Sequence, residues 1–205
     1  MSGEVVLVPG LWMPGAAMIL LSRRLARRGY SVQTFGHRGR GPFESNVERL
    51  ARFVRDRLDG RPAHFAGHSF GGVLILEMLS RHTDIPAASV VLLGAPVRGC
   101  CAGRRFGEGR FGAWMMGASR PLWNERTAAW TRPEPLGVIA GTLPLGLGRT
   151  VGPLPGDNDG VVCVSETEVD GMAARALVPT GHSALIVSPR VAQMVERFFS
   201  EGRFQ

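Results

Sequence analysis

The stretch AHFAGHSFGG, residues 63–72, places a serine between glycines at the point where a strand-like run gives way to a helical one. Residues 62–66 have the apolar character of a short strand, and residues 70–81 have the spacing of a helix. Glycine weakens either element by roughly 0.5–1 kcal/mol per residue, so glycines on both sides of Ser69 predict a turn too tight for side chains. A strand, a strained turn and a helix in this order would expose Ser69 at the carboxyl end of a sheet. A plain glycine-rich turn with no chemical role is the alternative.

The same alternation of strand and helix extends along most of the chain. Strand patterns cover residues 4–8, 30–35, 62–66, 88–93, 136–140 and 176–179, and helical patterns cover residues 15–28, 43–58, 70–81 and 189–199. Strict alternation predicts an α/β fold, with a parallel sheet joined by right-handed crossovers. The regular pattern breaks over residues 98–134, which contain three of the four tryptophans. With no internal repeat or interdomain linker, residues 1–205 are expected to form a single domain.

The positive charge of the chain comes entirely from arginine, because the sequence contains no lysine. A net charge of +7 fits binding to nucleic acid phosphates or to an anionic membrane surface. Acidic residues are interspersed among the arginines of residues 43–58, and no zinc-finger, RNA-recognition or basic-zipper motif is present. Solvated helix faces are therefore the favoured interpretation, and no nucleic acid partner is expected.

Cysteine usage and the start of the chain indicate a cytoplasmic location. The three cysteines, at positions 100, 101 and 163, form neither an even-numbered disulfide framework nor a metal-ligand spacing. The sequence MSGEVVLVPG enters a strand almost at once, without the charged and long apolar regions of a secretory signal. No apolar run approaches the length of a membrane span.

A serine hydroxyl attacks carbonyl groups efficiently only when a base removes its proton, and the base must be oriented by a third group. Among the five histidines, His182 is placed to act as this base, since it follows the last predicted strand in the loop VPTGHSALIV. The side chains of His68, inside the tight turn, and His64, on the strand before it, are expected to point elsewhere. His37 and His82 are expected to be surface or packing residues.

The orienting acid should follow the strand predicted at residues 136–140. The loop GDNDGVV offers Asp157 and Asp159, and Asp159 is favoured; Asp170, also followed by glycine, is the reserve candidate. The loop could also need Asn, Asp and Gly only for its backbone turn.

The order Ser69, Asp159, His182 is the order found in α/β-hydrolases. Over essentially its whole length, from VVLVPGLW through GHSFGG and NDGVV to GHSALI, the sequence resembles a small bacterial α/β-hydrolase of the lipase/esterase type. NDGVV is similar to the catalytic-acid loop of bacterial triacylglycerol lipases, and FGHRGRG is similar to an Arg-Gly-rich turn of many members. The resemblance implies a minimal α/β-hydrolase fold without strands ahead of Glu4. It also implies that residues 98–134 form a short cap or lid insertion.

The resemblance further implies a Ser-His-Asp triad of Ser69, His182 and Asp159 that works through an acyl-enzyme, without a metal or organic cofactor. The backbone N–H groups of Leu11 and Phe70 would form the oxyanion hole. The relevant turn here reads Pro9-Gly10-Leu11, where the family usually has His-Gly-x.

Large apolar side chains near this site are candidates for substrate binding. Trp12, Trp114, Met115 and Trp123 are expected to line an apolar acyl pocket, although the insertion could equally carry its aromatic residues only for packing. The leading hypothesis is an esterase or lipase-like hydrolase acting on small-molecule esters of apolar acyl groups. A thioesterase or other acyl hydrolase, a non-catalytic binding domain of the same fold, and a basic protein that contacts a membrane or lipid surface are the alternatives.

Overall fold

Six strands lie side by side in one fully parallel sheet. The computed structural model describes residues 3–205, apart from the side chains of residues 147 and 149. The strands are β1 (Glu4–Val8), β2 (Ser31–Thr34), β3 (Ala63–His68), β4 (Ala87–Leu93), β5 (Leu136–Gly141) and β6 (Ala174–Val178). Their order across the sheet is β2-β1-β3-β4-β5-β6, and every neighbouring pair is parallel. The predicted α/β architecture is confirmed.

Helices cover both faces of this sheet. They are α1 (Ile19–Ala26), α2 (Phe43–Leu58), α3 (Phe70–Arg81), α4 (Cys101–Glu108), α5 (Arg110–Met116) and α6 (Pro189–Glu201). Short 3-10 helices cover Gly15–Met18, Gly117–Trp123, Leu147–Val151, Val164–Thr167 and His182–Ile186. Successive strand residues point to opposite faces, so Val6 and Val8 pack with α2 and α3, whereas Val5 and Leu7 pack with α1 and α6. Burial on both faces explains why the central strands are almost entirely apolar.

The pairing register brings the carboxyl ends of the central strands level with one another. Val8 of β1 pairs with Gly67 of β3, and His68 of β3 pairs with Leu93 of β4. The segments that leave these strands, at Pro9, Ser69 and Gly94, therefore meet at one edge of the sheet. In open parallel sheets, this edge is where ligands bind.

Two strands extend two residues beyond one of their predicted ends because of their pairing. β3 continues to His68, since Gly67 and His68 still pair with β4. β6 begins at Ala174, two residues earlier than the apolar run suggests, because Ala174 and Arg175 pair with β5.

Residues 98–134 contain more regular structure than the sequence indicates. Between β4 and β5 they form α4, α5 and the 3-10 helix Gly117–Trp123. Trp123 is 4% exposed, and its ring lies 6.0 Å from that of Phe70 at the start of α3. The indole N–H of Trp12, in the loop after β1, donates to the Met115 carbonyl at 3.0 Å. The insertion therefore packs directly over the carboxyl edge of the sheet.

Candidate active site

Ser69 occupies a strained turn between β3 and α3. Its backbone angles, φ 52° and ψ −124°, lie in a region that residues other than glycine rarely adopt. The turn is also tight: a Cβ atom on Gly67 would overlap Gly72, and one on Gly71 would overlap the Val8 carbonyl. These close approaches explain both glycines of the GHSFG stretch. The geometry is that of a turn that presents a serine at the end of a sheet.

His182 and Asp159 form a buried pair beside this turn. The His182 Nδ1 atom lies 2.7 Å from Asp159 Oδ2, and the two residues are 8% and 1% exposed. Because a carboxylate only accepts, Nδ1 carries the hydrogen and Nε2 is free to act as a base. The His182 backbone N–H also donates to the Asp159 carbonyl at 2.9 Å, which holds the two loops together.

The remaining oxygen of Asp159 is bound by backbone N–H groups. Its Oδ1 accepts from Val161 at 3.0 Å and from Val162 at 2.7 Å. These two hydrogen bonds fix the orientation of the carboxylate, so that Oδ2 faces His182. The two other candidate acids are exposed: Asp157 lies on the surface of the loop, and Asp170 pairs with Arg98 at 2.5 Å. Among the three candidates, Asp159 is the one that contacts His182.

A second carboxylate, that of the half-buried Glu166, joins the loop of Asp159 to the insertion. Glu166 accepts from the Cys101 N–H at the start of α4, at 2.5 Å, and from the Cys163 N–H at 2.8 Å. Burial raises the pKa of Glu166, and the nearby charge of Asp159 adds to this shift. Burial also raises the pKa of Cys100, and that of Cys163 to about 12, so both thiols stay protonated at neutral pH.

His68 lies closer to the site than the sequence suggests. Its side chain does not point away but lines the same cavity as Ser69, with its ring centre 4.7 Å from that of His182. Its Nε2 atom donates to the His182 carbonyl at 3.0 Å. Burial, followed by the proximity of His182, lowers the pKa of His68 to about 3, so the ring is neutral. His68 therefore supports the His182 loop, a contact between distant segments that the sequence does not reveal.

The predicted oxyanion donors belong to segments that flank Ser69. The turn after β1 packs against the serine, since a Cβ atom on Gly10 would lie 3.2 Å from that of Ser69. Phe70 is the first residue of α3, where backbone N–H groups have no acceptor inside the helix. Across residues 3–205, the N–H groups of Leu11 and Phe70 donate to no protein acceptor. Two unused donors beside a serine are suited to a developing negative charge.

A large apolar cavity opens above Ser69 and His182. Its volume is about 870 Å³, and no carboxylate or guanidinium lines it among the side chains that the structure describes. Trp12, Met115 and Trp123 line it. The prediction for Trp114 is wrong: this side chain is 57% exposed, and the Arg40 guanidinium lies 4.2 Å above its ring. Neighbouring positions on the short helix α5 point in different directions, so Met115 faces the cavity and Trp114 faces solvent.

The loop after β5 forms a part of the cavity wall that was not predicted. Its Leu143 and Leu145 line the cavity, as do Phe106, Phe111 and Met116 of the insertion. That loop is rich in glycine and proline and has no apolar periodicity, so the sequence carries no signal of its role.

Neither a metal cluster nor a membrane-spanning helix is found in the described part of the chain. Across residues 3–205, no three histidine, cysteine or acidic side chains are grouped so that they could hold a metal ion. No helix in the same range has both the length and the apolar character needed to cross a bilayer.

Comparison with known proteins agrees with this architecture. A model of the alpha/beta hydrolase family matches residues 5–195. A relative from Mycobacterium phage D29, named "Putative non-heme haloperoxidase", is 34% identical over 96 residues, which are 43% of this chain and 34% of that protein. The chain thus matches about a third of the length of this curated relative.

Solved structures similar to this chain share its fold. A metagenomic carboxyl esterase superposes with a TM-score of 0.72 at 19% identity, covering 97% of this chain and 76% of the other. A pyrethroid hydrolase from Sphingobium faniae has a TM-score of 0.66 at 16% identity, covering 98% of each chain. The RedJ thioesterase of prodiginine biosynthesis in Streptomyces coelicolor has a TM-score of 0.63 at 15% identity, covering 97% of this chain and 85% of the other.

Proposed function

The chain belongs to the alpha/beta hydrolase family, and on that premise we propose that it hydrolyses carboxylic esters of apolar acyl groups. In this proposal Ser69 is the nucleophile, His182 the general base and Asp159 the residue that orients the base. The observation that carries it is the buried Asp159–His182 pair, which opens onto the same cavity as the strained Ser69.

The proposed reaction has two halves. Ser69 Oγ attacks the ester carbonyl while His182 Nε2 takes its proton, and the N–H groups of Leu11 and Phe70 stabilise the resulting oxyanion. His182 then protonates the departing alcohol, which leaves an acyl-Ser69 ester. Water attacks this ester with His182 again accepting the proton, and the acid is released as Ser69 regains its hydrogen. Asp159 stabilises the charged imidazole in both halves.

The cavity supports an apolar substrate. Its wall of aromatic, leucine, methionine and valine side chains provides no charged partner within the described residues, so a charged acyl chain would be desolvated without compensation. The volume of about 870 Å³ lies within the range typical of small-molecule sites.

Thioester cleavage is the second candidate. The same serine, base and oxyanion donors would attack a thioester carbonyl, and a structural neighbour of this chain is named a thioesterase. Parallel assays with p-nitrophenyl esters and acyl-thioesters of matched chain lengths separate the two activities.

The rim of the cavity supports a further proposal, contact with a lipid or other apolar surface. Phe111 and Leu145 both line the cavity and are 66% and 60% exposed. Arg40, whose guanidinium lies over the Trp114 ring, adds positive charge near Phe111, because the Phe111 and Trp114 rings are stacked. Sedimentation with anionic and zwitterionic vesicles tests this contact, and no binding to either would refute it.

The central experiment is labelling with a fluorophosphonate, which reacts with activated serines. We expect wild-type protein to be labelled and Ser69→Ala to remain unlabelled while folded. Ser80→Ala is the matched control. Ser80 lies near the end of α3, the helix that follows Ser69, but it is exposed and its hydroxyl donates to the Leu76 carbonyl. Folded wild-type protein that does not label or hydrolyse any ester or thioester would instead indicate a non-catalytic binding domain.

A further inference from the structure

The Arg-Gly-rich loop after β2 contacts both segments that carry the proposed oxyanion donors. The Nε2 atom of His37 lies 2.9 Å from the carbonyl oxygen of Pro9, in the turn that contains the Leu11 N–H. The His37 ring also packs edge-on against the ring of Phe70, with centres 4.9 Å apart. One side chain therefore touches the turn after β1 and the first residue of α3.

The contact with Pro9 restrains a flexible part of the turn. The direction of the Leu11 N–H depends on rotation about the backbone of Gly10, and glycine has more rotational freedom than any other residue. On one side of Gly10 its own carbonyl accepts from the Met13 N–H at 3.2 Å. On the other side the Pro9 carbonyl is held by His37. Both peptide units next to Gly10 are thus anchored, and His37 is one of the two anchors.

The protonation state of His37 suits this role. Burial is the main reason why the pKa of His37 is lowered, and the charge of Arg49 lowers it further. The ring is therefore neutral and carries a single hydrogen, which must sit on Nε2 to donate to a carbonyl. Its Nδ1 atom is buried and has no partner in the described part of the chain.

A buried asparagine holds the loop that carries His37. Asn46 of α2 is 1% exposed, and its Oδ1 accepts from the Arg38 N–H at 3.1 Å while its Nδ2 donates to the Arg38 carbonyl at 2.9 Å. Both backbone groups of the residue after His37 are thereby fixed to a helix. Rigid support of this kind is what an accurately placed oxyanion hole requires.

We propose that His37 is a positioning residue for the oxyanion turn and that Asn46 holds His37 in place. The catalytic part of this inference rests on the proposed function; the restraint on the turn does not. His37 does not contact the reacting atoms and acts only through the direction of the Leu11 N–H.

The kinetic test uses His37→Leu, which keeps an apolar side chain of moderate size but cannot donate. Removing an oxyanion donor lowers kcat by about 10²–10³, and misaligning the donor should cost a part of that factor. We therefore expect kcat for p-nitrophenyl butyrate to fall about 10–100-fold, with KM staying within about 3-fold of wild type. His37→Gln should recover most of the rate, because its amide nitrogen reaches about as far as Nε2. His64→Gln is the matched control: His64 is also half-buried and bonds Ser89, but it lies near the amino ends of the strands. It should retain wild-type kcat.

A transition-state analogue separates positioning from general damage. An alkyl trifluoromethyl ketone adds to Ser69 and places an oxyanion in the hole, whereas the corresponding alcohol only fills the cavity. In His37→Leu the inhibition constant of the ketone should rise by the same factor as the loss in kcat, with that of the alcohol unchanged. Wild-type kcat in a folded His37→Leu, an equal loss for both inhibitors, or the same loss in His64→Gln would overturn the proposal.

Two further measurements decide the matter if His37→Leu does not fold or if no ester is hydrolysed. Asn46→Asp replaces the donor to the Arg38 carbonyl with a carboxylate oxygen that repels this carbonyl, so it should release the loop and lower kcat several-fold at unchanged KM. Wild-type kinetics would remove Asn46 from the proposal. In ¹⁵N-labelled protein we expect one Leu11 amide resonance in wild type and His37→Gln, and several or faster-exchanging ones in Asn46→Asp and His37→Leu. An unchanged Leu11 resonance overturns the restraint whatever the activity. An inactive, unlabelled wild type refutes the proposed function alone.

Discussion

Replacing Asp159 by asparagine tests how the buried acid acts on His182. The carboxylate accepts from the Val161 and Val162 N–H groups through Oδ1 and from His182 Nδ1 through Oδ2. An asparagine of the same shape would turn its oxygen toward the two backbone donors and its NH₂ group toward His182. The NH₂ group can only donate, so His182 Nδ1 must become the acceptor and the ring hydrogen must move to Nε2. In that tautomer His182 cannot accept the proton of Ser69.

The size of the effect follows from the cost of the alternative arrangement. Turning the amide over would leave two buried N–H groups without acceptors, at about 1–3 kcal/mol each, so the competent tautomer is disfavoured by about 2–6 kcal/mol. We therefore expect Asp159→Asn to lower kcat by about 10²–10⁴ with little change in KM, a range that includes the effect of the same substitution in a serine protease.

The assay is kcat for p-nitrophenyl butyrate, with circular dichroism and thermal unfolding to establish that the variant is folded. Asp157→Asn and Asp170→Asn are the matched controls and should stay within about 3-fold of wild type, because neither side chain contacts His182. Asp159→Asn with more than a tenth of the wild-type kcat would refute the tautomer argument. If a control lost activity in its place, the triad would have a different acid.

Four other substitutions test the nucleophile, the cavity and the pH dependence of stability. Ser69→Ala should abolish hydrolysis of p-nitrophenyl butyrate while thermal unfolding stays close to wild type; residual turnover above the uncatalysed rate would exclude Ser69 as nucleophile. Phe106→Ala removes part of the cavity wall and should raise KM for long-chain esters about 10-fold. Trp114→Ala should leave KM for soluble esters unchanged, because this side chain faces solvent. Equal effects of the two substitutions on KM would contradict the placement of Phe106 at the cavity and of Trp114 in solvent. Burial lowers the pKa of His68 to about 3, so between about pH 6.5 and 3 the unfolded chain binds a proton that the folded chain does not. As the pH decreases, the free energy of unfolding should therefore fall more steeply in wild type than in His68→Gln, by about 1.4 kcal/mol per pH unit. Urea titrations at pH 7, 6 and 5 measure this free energy. The same change with pH in both proteins would rule the prediction out.

Local sequence determined the secondary structure and the turn at Ser69. Apolar runs of strand length alternate with helical spacing, and such patterns depend on neighbouring residues only, so the parallel α/β sheet could be predicted from them. The glycines around Ser69 likewise mark a tight turn wherever the rest of the chain lies. Predictions of this kind needed no knowledge of which segments meet.

The partners within the site were decided by the tertiary structure. Asp157, Asp159 and Asp170 all lie in glycine-containing loops after β5, and sequence could only rank them. The choice of Asp159 depends on how its loop folds back through the Val161 and Val162 N–H groups, and on where β6 delivers His182.

The same holds for the cavity wall and for the histidines near the site. Trp114 and Met115 are adjacent and both apolar, so only the packing of α5 against the turn after β1 settled that Met115 faces inward. The His68 side chain was expected to point elsewhere, and His37 was expected to be a surface or packing residue. The sequence could not reveal their contacts, because each bonds a carbonyl that is distant in sequence, 28 residues away for His37 and 114 for His68. Contacts of this range leave no periodic trace in a sequence, since they exist only once separate strands have been brought to one edge of the sheet.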